Sequence, residues 1–152
     1  MNKMMTIGAA ALLVGPIAAT GALAGDPAAG EENFRQCAAC HGIESPDGEV
    51  IAQVRPTGAN LYGVIGRVAG SYEGYTRFSA SMVEAGEQGL VWDEENFLAY
   101  LENQTGFLRD FLGDNRARGN MNHRLRGSGE DIFAYLAQFS PVEENLDDTA
   151  ED

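Results

Sequence analysis

Cys37-Ala38-Ala39-Cys40-His41 constrains this chain more than any other stretch. Cysteines two residues apart, followed at once by histidine, have the spacing at which a polypeptide attaches a c-type haem. On one helical turn the pair spans the two haem vinyl groups, and each thiol adds to one vinyl as a thioether. The next residue brings an imidazole beneath the iron, so anchor and axial ligand come from one short segment. These are the only cysteines, which excludes a four-cysteine zinc site. His41 and His123 do not stand at zinc-finger spacings. A Cys37–Cys40 disulfide or a redox dithiol is the alternative use of the pair, and neither has a role for His41.

The start of the chain reads as an export signal. Lys3 supplies a positive n-region, Thr6 to Ala19 an apolar stretch, and Ala22-Leu23-Ala24 a small-residue cleavage site. Gly15 and Pro16 interrupt the apolar stretch, which is short for a membrane span of about 20 residues. The expected division is a cleaved leader over 1–24, one domain over 25–140 and an acidic tail without fixed structure over 141–152. Removing the leader leaves 152 − 24 = 128 residues, within the usual size of one domain of about 100–200 residues. Export and haem attachment on the outer side of a bacterial membrane together point to the periplasm.

Charge narrows the partners. The chain has 23 acidic residues against 10 basic ones, a formal charge of −13, and Lys3 is its only lysine. That balance argues against nucleic acid and anionic membrane surfaces. The signs are unevenly spread: Arg109, Arg116, Arg118, Arg124 and Arg126 crowd one stretch, and 143–152 holds six acids.

Periodicity and capping residues predict an all-α fold with long loops. A first helix over Asp26–Ala39 has Asp26 as cap, Pro27 in the first turn and Glu31 and Glu32 toward its positive end. Gly30, Phe34 and Cys37 share one face, and glycine at mid-helix suggests close approach of another helix. Residues 42–67 read as loop, punctuated by Pro46-Asp47-Gly48 and Pro56-Thr57-Gly58. A short helix over Ser79–Ala85 is expected to end at Gly86. A firmer one runs from Asp93 to about Asn103, with Trp92 and Phe97 at the staple positions. The last spans about Gly129–Phe139, with Ser128 and Asp131 as a capping box and Ile132, Tyr135, Leu136 and Phe139 as its stripe.

A haem with one histidine has a second axial position to fill. The expected mature chain offers Met82, Met121 and His123. Met82 lies in an amphipathic segment and reads as packing. Met121 lies in the polar, arginine-rich Arg118-Gly119-Asn120-Met121-Asn122-His123, where an apolar thioether has little reason to be unless it binds iron. His123 is the competitor, and a bis-histidine site would have a lower potential than His/Met.

In the order of its motifs the chain resembles the class I c-type cytochromes of the cytochrome c2 and mitochondrial cytochrome c group. The resemblance covers about Asp26 to Phe139. It rests on the Gly30/Phe34 helix, Cys37-Ala38-Ala39-Cys40-His41, Thr57-Gly58-Ala59-Asn60-Leu61-Tyr62-Gly63 with Arg67, Trp92, Tyr100-Leu101-Glu102-Asn103 and Ala134-Tyr135-Leu136. It implies several short helices and long loops wrapped around one covalently bound haem c. It also implies His41 and Met121 as iron ligands, Tyr100 beside the Met121 sulfur, Arg67 and Trp92 at the propionates, and the Gly30/Phe34 face crossing Tyr135/Leu136. Ala59 stands where the family usually has proline, Gly119-Asn120 where it has threonine–lysine, and Arg77 near a usual tyrosine. Residues 104–121 hold insertions, and the family's docking lysines are absent.

The function this implies is a one-electron carrier of the periplasm, not an enzyme, cycling its iron between ferric and ferrous states. A membrane bc1-type complex would be the donor, and an oxidase, reaction centre or reductase the acceptor. The protein is expected to act as a monomer that meets membrane complexes only peripherally. The alternative is a haem-based ligand binder or peroxidase-like enzyme with a labile sixth ligand.

Overall fold

A computed structural model describes residues 25–140; the expected leader, 1–24, and the expected acidic tail, 141–152, lie outside the described residues. Among the described residues the elements are α1 (Pro27–Phe34), β1 (Ile43–Glu44), β2 (Val50–Ala52), α2 (Ala80–Glu87), α3 (Glu94–Glu102), α4 (Gln104–Leu112) and α5 (Gly129–Ala137). None of these helices is long and apolar enough to cross a membrane. The mostly helical architecture agrees with the sequence, with two local additions and several shifted boundaries.

Asp26 caps α1 as its side chain predicts, accepting from the Ala28 amide at 2.9 Å. The helix stops at Phe34 rather than Ala39. The following amides turn back over three residues, Gln36 to Asn33 and Cys37 to Phe34, a tightening typical of helix ends. Because α1 starts at Pro27, Glu31 and Glu32 fall beyond its first turn. The Pro46-Asp47-Gly48 turn, with Gly48 at φ +85°, closes the β1–β2 hairpin inside a stretch expected to be loop. Strands of two and three residues are too short to show an alternating pattern.

Ser79 caps α2, which runs through Gly86 and ends before Gly89, at φ +95°. Gly86 is therefore a contact residue instead of a stop: a Cβ there would overlap the Ala69 carbonyl oxygen. Asp93 caps α3 through the Asn96 amide at 2.8 Å. The largest correction is α4, in the segment assigned to a loop insertion. Asn103 ends α3 and also caps α4 through the Gly106 amide at 2.9 Å, and Gly113 at φ +63° terminates it.

α1 crosses α5 where the sequence places the crossing. A Cβ on Gly30 would overlap the Asp131 carbonyl oxygen and come within 2.7 Å of Tyr135 Cβ. Phe34 then meets Tyr135 with ring centroids 5.6 Å apart. Ser128 caps α5 through the Asp131 amide at 3.1 Å. The expected reciprocal half of that box is replaced: Asp131 Oδ1 accepts from the Asp26 amide at 2.8 Å, so one carboxylate ties the start of α1 to the start of α5. Ile132 and Leu136 are fully buried beneath this crossing. Each such side chain contributes about 1.5–3 kcal/mol by leaving water.

Gly30→Ala tests the crossing. Overpacking typically costs about 1–3 kcal/mol, against about 1 kcal/mol of helix propensity regained. The obstruction is backbone and cannot rotate aside, so we expect net destabilisation, read as a lower denaturant midpoint with an unchanged slope.

Candidate haem-binding site

The turn after α1 carries both thiols and the imidazole. The Cys40 and His41 amides both donate to the Cys37 carbonyl, at 3.0 and 2.9 Å, so Cys37-Ala38-Ala39-Cys40-His41 is one closed turn. Cys37 and Cys40 are not joined to each other, so the disulfide alternative is not formed.

His41 is aimed by its second nitrogen. Nδ1 lies 2.8 Å from the Ala59 carbonyl and donates to it in the tautomer that leaves Nε2 unprotonated. Alanine thus supplies the carbonyl that the family takes from proline. Burial holds the imidazole pKa below its usual value, with His123 adding slightly, while the Ala59 bond opposes the shift. A neutral ring with a free lone pair is what iron requires of a ligand. Gly58 makes the approach possible, since a Cβ there would lie 2.6 Å from Nδ1 and 2.7 Å from the Cys40 carbonyl.

The loop that follows is tied down by Asn60 and Arg67. Asn60 Nδ2 donates to the Glu44 carbonyl at 2.7 Å, and its Oδ1 accepts from the Glu44 and Tyr62 amides, each at 3.0 Å. Arg67 donates to the carbonyls of Asn60, at 3.2 Å, and Tyr62, and its guanidinium lies 4.9 Å from the Tyr72 ring centroid. Burial draws the Arg67 pKa down, and Tyr72 opposes the change.

These residues open onto a cavity of about 500 Å³. Its lining includes Cys37, Cys40, His41, Arg67, Trp92, Tyr100 and Met121, which brings every residue proposed from sequence to one place. It also includes Met82, read from sequence as packing, which is buried in α2. The lining contains no aspartate or glutamate, and its permanent cations are Arg67 and Arg77. Arg77 is the member sequence reasoning noted only as a departure from the family. Its guanidinium reaches the Pro56 carbonyl at 3.2 Å, and its carbonyl accepts from Asn120 at 2.8 Å.

The residues fit a haem. Among the described residues no buried side-chain polar atom lacks a partner, and the Trp92 N–H and Tyr100 hydroxyl, which have no partner among those residues, belong to side chains that line the cavity. Trp92 and Tyr100 pack with centroids 5.0 Å apart, and burial pushes the Tyr100 hydroxyl up to about 12. Its oxygen would lie 3.6 Å from a Cβ on Gly119, next to the Met121 segment. His123, the rival ligand, has Nε2 3.0 Å from Gln36 Oε1. A flat, mostly apolar cofactor with two carboxylates matches an apolar chamber with guanidinium groups and two free donors.

No protein-family model matches the chain. It is 50% identical over 125 residues to cytochrome c2 of Rhodovulum adriaticum, spanning 80% of this chain and 98% of that protein. It is 48% identical over 116 residues to cytochrome c-551 of Roseobacter denitrificans, spanning 76% and 82%. Among solved structures, ferric cytochrome c-550 of Paracoccus versutus superposes with a TM-score of 0.73 at 38% identity, covering 77% of this chain and 99% of that one. Cytochrome c2 of Rhodobacter capsulatus does so with 0.71 at 42%, covering 74% and 97%.

Gly58→Ala is the sharpest test of how His41 is aimed. The added methyl displaces the ring or the Cys40 carbonyl, and we expect a lower haem-to-polypeptide ratio in purified protein and a lower unfolding midpoint. A Gly58→Ala protein with full haem content and unchanged stability would show that the close approach is not required.

Proposed function

This chain belongs to the cytochrome c2 family of class I c-type cytochromes, and from that premise we propose that its one haem c is held between His41 Nε2 and the Met121 sulfur. As a member it is an electron carrier of the periplasm and not an enzyme. The observation that carries the ligand reading is the His41–Ala59 bond at 2.8 Å, which frees Nε2 toward the cavity that Met121 also lines. Cys37 and Cys40 are the covalent anchors, and Arg67, Trp92 and Tyr100 donate to the cofactor's polar edge and to the distal ligand's surroundings. When bound, the haem supplies a one-electron Fe(III)/Fe(II) couple, and His/Met ligation in an apolar site raises its potential relative to bis-histidine ligation.

The chain's part is to exclude and to orient. With both axial positions filled, small molecules have no route to the iron. Sulfur is proposed over His123 because Gln36 engages His123 Nε2, and over Met82 because Met82 is buried within the hydrophobic core.

Docking would be transient and guided by arginine. Among the described residues the ion pairs are Arg35–Glu32 at 3.9 Å and Arg116–Asp114 at 3.4 Å. The Arg116 pair is exposed and weak, and Arg109 holds the Ala117 carbonyl at 3.3 Å. Arg118, Arg124 and Arg126 stay exposed, as does Arg77. The proposed partners are a bc1-type donor and an oxidase, reaction centre or reductase with an acidic docking face. The carrier meets them as a monomer with its leader removed after Ala24.

Two measurements test this reading. Reduced protein should keep its low-spin spectrum under carbon monoxide. Met121→Ala should bind carbon monoxide and show a lower midpoint potential, while Met82→Leu should do neither. A wild-type Soret band that shifts under carbon monoxide would favour a ligand binder. Separately, replacing Arg77, Arg118, Arg124 and Arg126 with glutamine should slow association with an acidic redox partner by about tenfold at low salt. The same change should flatten the salt dependence. Unchanged stopped-flow rates would remove the rim from docking.

A further inference from the structure

One side chain fastens the Met121 segment to the haem-anchoring turn. Gln36 directly precedes Cys37 and is half-buried. Its Nε2 donates to the Arg126 carbonyl at 2.7 Å and to the Asn33 carbonyl at 2.9 Å. Its Oε1 accepts from the Arg126 amide at 2.9 Å and meets His123 Nε2 at 3.0 Å. Both amide hydrogens and both acceptor directions are therefore used. With Arg126 the side chain forms a two-way rung, donating to its carbonyl and accepting from its N–H.

The rung matters because little else holds this stretch. From 114 to 128 the chain has no helix or strand. Before Met121 the stretch is tied to α4 by Arg109 Nε to the Ala117 carbonyl at 3.3 Å, and to the α2 region by the Arg118 amide to Ser81 Oγ at 3.1 Å and Asn120 to the Arg77 carbonyl at 2.8 Å. From Met121 to Gly127, every hydrogen bond among the described residues is made to Gln36. Leu125 packs against the core, but the hydrogen bonds on the far side of the proposed sulfur ligand all run through one amide, next in sequence to a proposed haem anchor.

We propose that Gln36 is a positioning residue that keeps the sixth coordination site closed by clasping residues 123–126 to the Cys37 turn. The inference rests on Met121 being the distal ligand. The site opens only when the loop lifts, and an external ligand then binds with an apparent affinity set by the open fraction. Breaking the clasp raises that fraction without touching the iron, the anchors or Met121.

The test is imidazole binding to the ferric, haem-loaded protein, followed by its visible spectrum. Gln36→Leu, which keeps bulk but no hydrogen bonds, should bind imidazole roughly tenfold more tightly than wild type. Gln36→Glu retains the acceptor for the Arg126 amide and should fall between, which also covers the case in which the leucine variant loads haem poorly. Met121→Ala should bind imidazole most tightly, and adding Gln36→Leu to it should change nothing further, since no sulfur remains to be displaced. If Met121→Ala binds tightly but both Gln36 variants match wild type, the clasp is overturned and the ligand assignment stands. If Met121→Ala keeps the wild-type spectrum and affinity, the ligand assignment falls and takes the clasp's role with it.

Discussion

The contact between Gly58 and the His41 imidazole is the constraint on which the rest of the site depends. A Cβ at 58 would stand 2.6 Å from Nδ1, so only glycine lets the Ala59 carbonyl come within 2.8 Å of that nitrogen. That bond fixes the tautomer and turns Nε2 to the cavity. The carbonyl must itself be held, and the neighbouring Asn60 does this by bonding the loop to β1 and accepting Arg67 at its own carbonyl. Arg67 in turn pairs its backbone with Trp92, Trp92 N–H to Arg67 C=O at 3.0 Å, and so reaches the start of α3. A chain of short, directional contacts thus runs from His41 to the wall that carries Trp92 and Tyr100.

The α1–α5 crossing supplies the rigid base for this chain. Gly30 allows backbone contact, and the Asp131 carboxylate closes the start of α1. Phe34 and Tyr135 fill the space at the other end, directly before the turn with the thiols. An error in the crossing would move Cys37 and His41 together, because only two residues separate Phe34 from Cys37. Covalent attachment makes that placement consequential: the anchors fix the cofactor to one helix end, and the helix must be fixed to the fold.

What the sequence makes legible follows from how local each signal is. The caps at Asp26, Asp93 and Ser128 depend on a few neighbouring residues each, and all three are found in the structure, as is the close approach of α5 at Gly30. α4 is hidden because Asn103 serves two helices at once and Gly106 weakens the helical signal of its first turn. Gly86 looks like a terminator because glycine often is one; its actual reason, the Ala69 carbonyl, is distant in sequence. Asp131 has the spacing of a capping box, yet its carboxylate satisfies an amide on another helix. The same limit applies to Gln36, whose partners lie about ninety residues away. Arg116 has an exposed ion-pair partner in Asp114, two residues before it, which the cluster of arginines does not by itself suggest.

Charge is distributed so that net acidity and local basicity serve different ends. The chain is −13 overall, yet among the described residues no carboxylate lines the cavity. A carboxylate there would stabilise the oxidised, more positive iron and lower the potential. Its exclusion acts in the same direction as an apolar wall. Outside, charges farther apart than about 10 Å are largely screened at moderate salt. Acids far from a contact surface then weigh less there than the few charges at its edge. An acidic protein can in this way present a basic contact to a redox partner, and the arginine fork suits it to carboxylates. For the docking proposed above, the positions of the exposed arginines matter more than the sum of charges.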